Sequence, residues 1–401
     1  MFINKSVIKA THAQHAEQKK LEEIIMQFTI NRAVFIKAMN NVSRAISSRT
    51  SMPILTGVKL VLDNNGLTLT GSDTDISIET LIPVTDDQAS LTIQEPGALV
   101  LPAAFFSNIV KRLPGETFTL SNTTGFQAKI TSENSEFDIN GQDANNYPHL
   151  PEIEVRNDLT LPSETLNEVI GQTVIAVSKQ LSQPILTGVH FILAGGNLTA
   201  VATDRHRLAQ RTVALSESDV DADIIVPGPS LNQLQAMLDE VETVDVRVAE
   251  NQVIFQLGAN TTFYSRLLEG NYPDASRLIP TEKRTTLTIN ARDLLQTIER
   301  AALLSHEGRS NVIQFTVSDE KSLISSNSPE VGRVEEQIFA AETAGDELTI
   351  SFNPDYMREA LKSFGDEQIQ IGFKTALDPF TLVPTNNETN FIQLITPVRT
   401  Y

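Results

Sequence analysis

The chain has 401 residues, of which 40% are hydrophobic and 20% charged, and its formal net charge is −19. This composition is typical of folded globular proteins, and the length suits two or three domains. The acidic balance argues against a protein that holds nucleic acid through a broad basic surface. The absence of cysteine excludes disulfides, thiol nucleophiles and cysteine-ligated zinc, and fits a cytoplasmic protein. No apolar run is long enough to span a bilayer, so no membrane association is predicted.

The first 25 residues differ from the rest of the chain. They are polar and mixed in charge, and they precede a second methionine, Met26, at which strand-like alternation begins. They lack the apolar core of a signal peptide. We interpret residues 1–25 as an appendage, either a genuine extension or the product of an upstream start codon, and a loose tail without a role is common at chain termini.

The segment from Met26 onward predicts an α+β module. A strand through Phe28 is followed by an amphipathic helix whose apolar positions begin at Phe35 and recur every three to four residues. Alternating apolar residues on both sides of the Asn-Asn-Gly turn at 64–66 predict a β-hairpin. Pro102 suits the first turn of a second helix, and further strands follow it. The pattern therefore predicts two helices and several strands in one module.

The hexapeptide Pro-Ile-Leu-Thr-Gly-Val at 53–58 returns at 184–189, which is 131 residues later. The same spacing relates the Ser72-Asp73 pair to the Thr203-Asp204 pair, and a more diverged third copy follows. A period of this size is that of a domain, since each copy is long enough to own a core. The sequence therefore predicts three similar modules joined at proline-bearing segments, with bounds 26–153, 154–280 and 281–401.

Three modules in series can form an open rod or an arc. An arc that joins a second copy head to tail closes into a ring of six modules, whereas a contact that fails to close produces a filament. The repeat order suggests that the first module of one copy pairs with the third module of the next.

The order of six motifs carries a resemblance to a known family. The motifs are MQFTINRAVFIKAM, MPILTGVKLVL, ATDRHRLA, GNYPDASRLIP, FNPDYMREAL and LITPVRTY. Together they resemble the bacterial DNA polymerase III beta subunit, the sliding clamp, from Met26 to Tyr401. The resemblance implies the DNA clamp fold, a head-to-tail homodimeric ring around double-stranded DNA, and a non-catalytic subunit without cofactor that tethers the replicative polymerase for processive synthesis. A topological link of this kind needs no tight phosphate contacts, so it suits an acidic chain.

Basic residues that face the opening of such a ring are predicted on the helices of the first and third modules. These residues are Lys37, Arg44, Lys111, Arg112, Arg292, Arg300, Arg358 and Lys362. Ordinary solvated helix faces are the alternative interpretation. The loops after the first helix of each module place Arg49, Lys179-Gln180 and Arg309 at corresponding positions. The resemblance implies DNA contacts for Arg49 and Gln180, whereas Arg309 is supported by the repeat alone.

The resemblance also implies a groove for short partner peptides. The matching residues are Leu186, Thr203, His206, Arg207, Leu208, Pro273, Arg277, Leu278, Asn353, Tyr356, Pro397, Val398 and Arg399. An apolar groove edged by a few fixed donors suits a peptide of the Gln-Leu-Phe type. The implied partners are the polymerase III alpha subunit, the clamp loader and other replication or repair proteins. Without the resemblance, each leucine or proline would be read as ordinary core or linker packing.

An enzyme is the main alternative. Asp204 with His206, beside Asp73 and Asp75, could suggest a two-carboxylate metal site for phosphoryl transfer. The carboxylate pair is not kept between copies, because Asp75 corresponds to His206, and such aspartates commonly accept local backbone hydrogen bonds. The sequence has no phosphate-binding loop, dinucleotide fingerprint or HExxH motif. A metal-dependent nuclease and an acidic scaffold that binds no nucleic acid are the two alternatives to the clamp.

Overall fold

The structure is a computed structural model, and it describes residues 24–123, 125–150, 157–215, 220–307, 311–386 and 390–399. The predicted appendage therefore lies almost entirely outside the described residues, and so does Arg309. The chain divides into two compact units. The first comprises Met1–Ile153 with Gln256–Tyr264, and the second comprises Glu154–Phe255 with Ser265–Tyr401.

The described residues contain six α-helices, two in each predicted module. They are α1 (Arg32–Ser43), α2 (Ala103–Val110), α3 (Ser163–Thr173), α4 (Gly228–Gln235), α5 (Ala291–Glu307) and α6 (Pro354–Lys362). The predicted apolar face of α1 is buried through Phe35, Met39 and Val42, and the Asn31 side chain caps its first turn. None of the helices in the described ranges has the length and apolar character needed to cross a membrane.

The first unit contains two antiparallel arrays of strands. One sheet has the order β5-β1-β7-β8-β9 and the other places β6, β2, β3 and β4 side by side. The strands are β1 (Ile24–Asn31), β2 (Gly57–Asp63), β3 (Gly66–Ser72), β4 (Ile76–Pro83), β5 (Thr92–Glu95), β6 (Gly97–Pro102), β7 (Thr117–Thr123), β8 (Gln127–Ser132) and β9 (Ser135–Asn140). The predicted hairpin is β2 and β3, with Leu62 opposite Leu67.

The strands of the second module are arranged in the same way. They are β10 (Asn157–Pro162), β11 (Gly188–Ala194), β12 (Asn197–Thr203), β13 (Arg207–Ala214), β14 (Ala222–Pro227), β15 (Thr243–Val248), β16 (Gln252–Leu257) and β17 (Thr261–Arg266). β10, β15 and β16 are neighbours, and β14, β11, β12 and β13 follow one another in a second sheet.

The third module completes the second unit. Its strands are β18 (Thr285–Asn290), β19 (Ile313–Val317), β20 (Ser322–Ser328), β21 (Gly332–Ile338), β22 (Glu342–Gly345), β23 (Leu348–Phe352), β24 (Gln368–Phe373), β25 (Phe380–Pro384) and β26 (Phe391–Ile395). β22-β18-β24-β25-β26 repeats the order of β5-β1-β7-β8-β9, and β23-β19-β20-β21 repeats that of β6-β2-β3-β4. The prediction of three similar α+β domains with antiparallel strands is confirmed.

The repeated hexapeptide has the same structure in both copies. Residues Pro53–Thr56 and Pro184–Thr187 each form a single 3-10 turn, and a strand begins at the glycine that follows. A Cβ added to Gly57 would lie 2.6 Å from Val100, and one added to Gly188 would lie 2.7 Å from Ile225. In both copies the neighbouring strand leaves no room for a side chain, so the position requires glycine.

The second and third modules share a sheet through β13 and β26. The pairing is antiparallel and runs from Arg207 opposite Ile395 to Arg211 opposite Phe391. The buried Gln393 side chain of β26 donates to the Gln172 carbonyl at 2.9 Å. This junction brings the end of β12, the start of β13 and the C-terminal segment to one place.

Candidate functional site

A tight turn between β12 and β13 positions the central side chains of the site. Asp204 Oδ1 accepts hydrogen bonds from the backbone N–H of His206 at 3.0 Å and of Arg207 at 3.1 Å. Thr203 Oγ1 donates to the Arg207 carbonyl at 2.6 Å. Arg205 has a φ of 76°, a left-handed backbone conformation that residues other than glycine rarely adopt. The turn thus directs His206 and Arg207 by local hydrogen bonds.

The first module has the same turn. Asp73 Oδ1 accepts from the N–H of Asp75 at 3.0 Å and of Ile76 at 2.9 Å, and Thr74 takes a φ of 84°. Asp73 and Asp204 are therefore backbone acceptors in equivalent turns. The parts of the chain that the structure describes contain no group of three or more His, Asp or Glu side chains that could hold a metal ion.

Arg207 is the most constrained residue of the site. Its side chain is only 6% exposed, and its Nε donates to Asp204 Oδ2 at 3.0 Å while its Nη1 pairs with Glu359 of α6. The guanidinium carbon lies 4.7 Å from the centre of the Tyr356 ring. The His206 ring lies nearly parallel to Tyr356, with centroids 6.2 Å apart. Predicted residues of the second and third modules thus meet in one cluster.

This cluster forms one wall of a cavity of ≈ 320 Å³, a volume at the small end for ligand pockets. The lining residues are Val177, Ser178, Lys179, Gln180, Asp204, His206, Arg207, Asn353, Asp355, Tyr356 and Glu359. The cavity brings four residues of the predicted peptide groove together with Lys179 and Gln180, which the sequence assigned to DNA contact. Nothing in the sequence pattern indicated that these two groups share one space.

The predicted apolar lining lies deeper than expected. Leu186, Thr203 and Leu208 are all buried, and Leu208 packs in a small core with Leu394. Leu186 belongs to the repeated hexapeptide, and its carbonyl oxygen accepts a hydrogen bond from the Ser178 N–H at 2.7 Å. Leu186 and Thr203 thus hydrogen-bond to the backbone of two lining residues, Ser178 and Arg207, but do not line the cavity themselves.

The other predicted residues lie on two segments, the linker that follows β17 and the C-terminal segment that follows β26. Pro273, Arg277, Leu278, Val398 and Arg399 are exposed, and Pro397 is half-buried. Two backbone hydrogen bonds hold the C-terminal segment here: the Thr396 N–H donates to the His206 carbonyl at 2.8 Å, and the Val398 N–H to the Ser351 carbonyl at 2.7 Å.

Tyr272 anchors the linker that carries Pro273, Arg277 and Leu278. Its hydroxyl oxygen accepts a hydrogen bond from the Thr203 N–H at 3.0 Å. Burial raises the pKa of Tyr272 to about 12, so the phenol stays neutral at physiological pH. The linker is thereby attached to the turn that positions Arg207.

The start of α6 supplies further lining residues, Asn353 and Asp355. Asn353 caps the helix by accepting from the Asp355 N–H at 2.8 Å. The Asp355 carboxylate contacts His306 at 3.2 Å, Asn311 at 3.2 Å and Arg358 at 2.9 Å. Burial alone would raise the pKa of Asp355, but the Asn311 hydrogen bond and the charges of His306 and Arg358 outweigh it and lower the pKa.

Replacing Asp355 with asparagine is expected to reduce how strongly the folding stability of the second unit changes with pH in the acid range. Because the folded pKa lies below the unfolded value of about 3.9, the ionised group stabilises the fold above that pH. This contribution is lost as the pH falls through the folded pKa. Urea unfolding at pH 7 and pH 3 should therefore show Asp355→Asn to be destabilised at pH 7 and closer to the wild type at pH 3. The exposed Asp319→Asn is the control, and an equal loss at both pH values would contradict the assignment.

The predicted DNA contacts are distributed over both units. Arg49 is exposed in the loop after α1 in the first unit, and Lys179 and Gln180 are exposed at the cavity in the second. The four basic residues predicted on the third module's helices are engaged within the chain. The pairs are Arg292 with Asp366, Arg300 with Glu336, Arg358 with Asp355, and Lys362 with Glu299. Their field is therefore partly neutralised, which weakens the predicted steering of DNA.

Asp355 and Glu359 were missed as site residues by sequence reasoning. Both belong to the motif FNPDYMREAL, in which Glu359 follows Tyr356 by three positions. Residues three apart share a helix face, so the helical register of this motif was the available signal.

Comparison with known proteins identifies the family. Family profiles of the N-terminal, central and C-terminal domains of the DNA polymerase III beta subunit match residues 26–151, 160–274 and 276–399. The chain is 45% identical to the beta sliding clamp of Bacillus subtilis over 380 residues, which cover 94% of this chain and 100% of that protein.

Solved structures agree with the sequence comparison. The DNA polymerase III beta chain of Streptococcus pneumoniae superposes with a TM-score of 0.91 at 42% identity, and the sliding clamp of Bacillus subtilis with 0.90 at 44%. Each alignment covers 94% of this chain and 100% of the other. The chain belongs to the DNA polymerase III beta subunit family, the family of the bacterial sliding clamps.

Proposed function

We propose that two copies of this chain form a closed ring that encircles duplex DNA, independently of sequence, and tethers the replicative DNA polymerase. The observation that carries the proposal is the junction of the second and third modules through β13 and β26. The proposal includes the module bounds 26–153, 154–280 and 281–401. It rests also on the family, since relatives are named beta sliding clamps.

The junction predicts how two copies join. β13 ends the array β14-β11-β12-β13, and β26 ends the array β18-β24-β25-β26. In the third module, β21 holds the position that β13 holds in the second. In the first module, β9 holds the position that β26 holds in the third. Both are edge strands among the described residues, and edge strands offer unpaired backbone groups to another chain. Repeating the β13 to β26 arrangement pairs β21 of one copy with β9 of the next.

Exposed apolar side chains lie beside these two edges. Phe137 on β9 is 40% exposed, and Leu303 on α5 is 69% exposed. Helix α5 packs against β21, just as α3 packs against β13. At the second-to-third junction, the end of α3 touches the partner strand through Gln172 and Gln393. Counted from the first residue of each helix, Arg300 of α5 corresponds to Gln172 of α3, and Leu303 lies one turn beyond Arg300, so head-to-tail pairing would bury it against the first module of the next copy.

Enclosure explains how a chain of net charge −19 can hold DNA. A closed ring is retained topologically, so it needs only weak and exchangeable phosphate contacts, which we assign to Arg49, Lys179 and Gln180. We also propose that Arg309, although outside the described residues, makes the corresponding contact in the third module.

The cavity beside Arg207 is the proposed site for partners. Its polar lining, together with the exposed Pro273, Leu278 and Val398 that we assign to the same site, suits a short peptide that carries both amide and apolar side chains. The partners are the polymerase III alpha subunit, the clamp loader and other replication and repair proteins. We propose further that the chain is cytoplasmic and has no catalytic activity of its own, since Asp73 and Asp204 serve as turn acceptors.

Retention on circular DNA tests the ring. The clamp, loaded by a bacterial clamp loader onto nicked circular DNA, is expected to elute with the DNA and to dissociate when the circle is linearised. An acidic scaffold would not be retained at all. A nuclease would cleave the circle when a divalent metal is supplied. Retention that persists after linearisation would contradict enclosure, because a ring slides off free ends.

Replacing Arg49 with alanine is expected to weaken the salt-sensitive affinity of the loaded clamp for DNA. The ring carries two copies of Arg49, and each lost phosphate contact should reduce the slope of log affinity against log salt by about 0.9. Arg284→Ala, an exposed arginine outside the proposed DNA contacts, is the control. An unchanged slope for Arg49→Ala would refute its assignment as a DNA contact.

A further inference from the structure

We propose that Glu359 is a positioning residue of the partner-peptide cavity, which it shapes by holding Arg207 against Tyr356. This inference rests on the proposed peptide site and specifies which of its residues meet the peptide. It assigns a role to Glu359 and changes the role of Arg207. The resemblance placed Arg207 in the peptide groove, where a basic side chain could serve as a donor to the peptide, and the structure points instead to a support within the wall.

The contacts of Arg207 leave it little freedom. Its Nε donates to Asp204 at 3.0 Å, its Nη1 pairs with Glu359, and its guanidinium lies 4.7 Å from the Tyr356 ring centre. The side chain is 6% exposed, whereas that of Glu359 is 40% exposed. The two carboxylates and the ring thus surround a nearly buried cation.

A buried cation is costly unless its charge is compensated. Asp204 supplies one carboxylate from the same turn, where its other oxygen already accepts two backbone hydrogen bonds. Glu359 supplies the second carboxylate from another module, 152 residues along the chain. Removing the charge of Glu359 leaves the guanidinium with half of its compensation, and we expect it to turn toward solvent.

Movement of Arg207 would alter the surface that a peptide meets. Tyr356 and Glu359 lie on one face of α6, and Tyr356 is covered by Arg207 and stacked near His206. When Arg207 is held, the positions of both rings are fixed before the peptide arrives. A prearranged wall binds more tightly, because the peptide does not have to order it.

The test is a double-mutant cycle with a fluorescently labelled peptide of the Gln-Leu-Phe type. Glu359→Gln keeps the size of the side chain and removes its charge. We expect it to weaken peptide binding about 10-fold in the wild-type background and by less than about 2-fold in the Arg207→Ala background. Glu359→Asp, which restores the carboxylate, is expected to recover part of the lost affinity.

Glu299→Gln is the matched control. Glu299 is similarly exposed and also pairs with basic side chains of α6, but it does not line the cavity. It should leave the peptide affinity unchanged. Thermal unfolding of every variant checks that the fold is intact.

Three results would overturn the inference. Unchanged affinity in Glu359→Gln would show that the ion pair has no role in binding. An equal loss with and without Arg207 would show that Glu359 acts independently of it. A Glu359→Asp variant no better than Glu359→Gln would show that the carboxylate is not what matters. If the wild-type chain failed to bind the peptide, the proposed peptide site itself would be refuted.

Discussion

Aspartate at Phe137 or at Leu303 is expected to convert the dimer into monomers. Each closed ring contains two identical junctions, and each junction contains Phe137 from one copy and Leu303 from the other. Either substitution therefore places a carboxylate in both junctions, where it would lose its hydration and replace an apolar contact. We expect the dissociation constant to rise by at least about 1,000-fold, the ratio that corresponds to about 4 kcal/mol.

Solution mass measures this effect directly. The wild type should sediment as a dimer of twice 44.0 kDa, and each variant as a monomer at the same micromolar concentration. Leu377→Asp, at an exposed leucine in the loop between β24 and β25, is the control and should remain dimeric. A dimer in both single variants would contradict the proposed interface.

Mixing the two variants separates head-to-tail pairing from a symmetric contact. In a mixed dimer, one junction carries both aspartates, while the other joins an intact Phe137 to an intact Leu303. A head-to-tail interface therefore predicts that the mixture regains dimers held by one junction, although it cannot close on DNA. In a symmetric contact, each edge would pair with the same edge of the other copy. Mixing the two variants would then restore no intact junction and no additional dimer.

Loss of the Tyr356 ring is expected to have the second largest effect. Tyr356→Ala removes the aromatic face against which Arg207 lies and beside which His206 stacks. Aromatic residues at the centre of a binding site typically contribute at least about 2 kcal/mol, so we expect peptide affinity to fall by at least about 30-fold. The same variant should remain dimeric, because Tyr356 lies outside both proposed edges.

Tyr356→Phe is the matched variant, since it keeps the ring and removes only the hydroxyl. It should retain affinity within about 5-fold of the wild type if stacking dominates. Fluorescence anisotropy of the labelled peptide measures both variants. Equal losses for alanine and phenylalanine would assign the effect to the hydroxyl and contradict the role of the ring. Leu208 is a poorer target, because it is fully buried and its truncation to alanine would cost about 2–5 kcal/mol of folding stability.

The sequence by itself determined the module count, the order of helices and strands and the local turns. The hexapeptide at 53–58 and 184–189 predicted two equivalent positions, and both copies form the same 3-10 turn before a strand. Asp73 and Asp204 were expected to be backbone acceptors, and they are. Such features are predictable because helix periodicity and turn hydrogen bonds involve residues a few positions apart.

Only the tertiary structure decided which side chains are free to act. The sequence placed Arg207 in the peptide groove but could not show its partner Glu359, which is 152 residues away, and the pairing depends on the junction of β13 with β26. Lys179 and Gln180 share a cavity with His206 and Tyr356 for the same reason. Burial and ion pairing depend on packing between distant segments of the chain. The identity of a basic residue in a sequence therefore does not show whether its charge is paired with a carboxylate or available to bind a ligand.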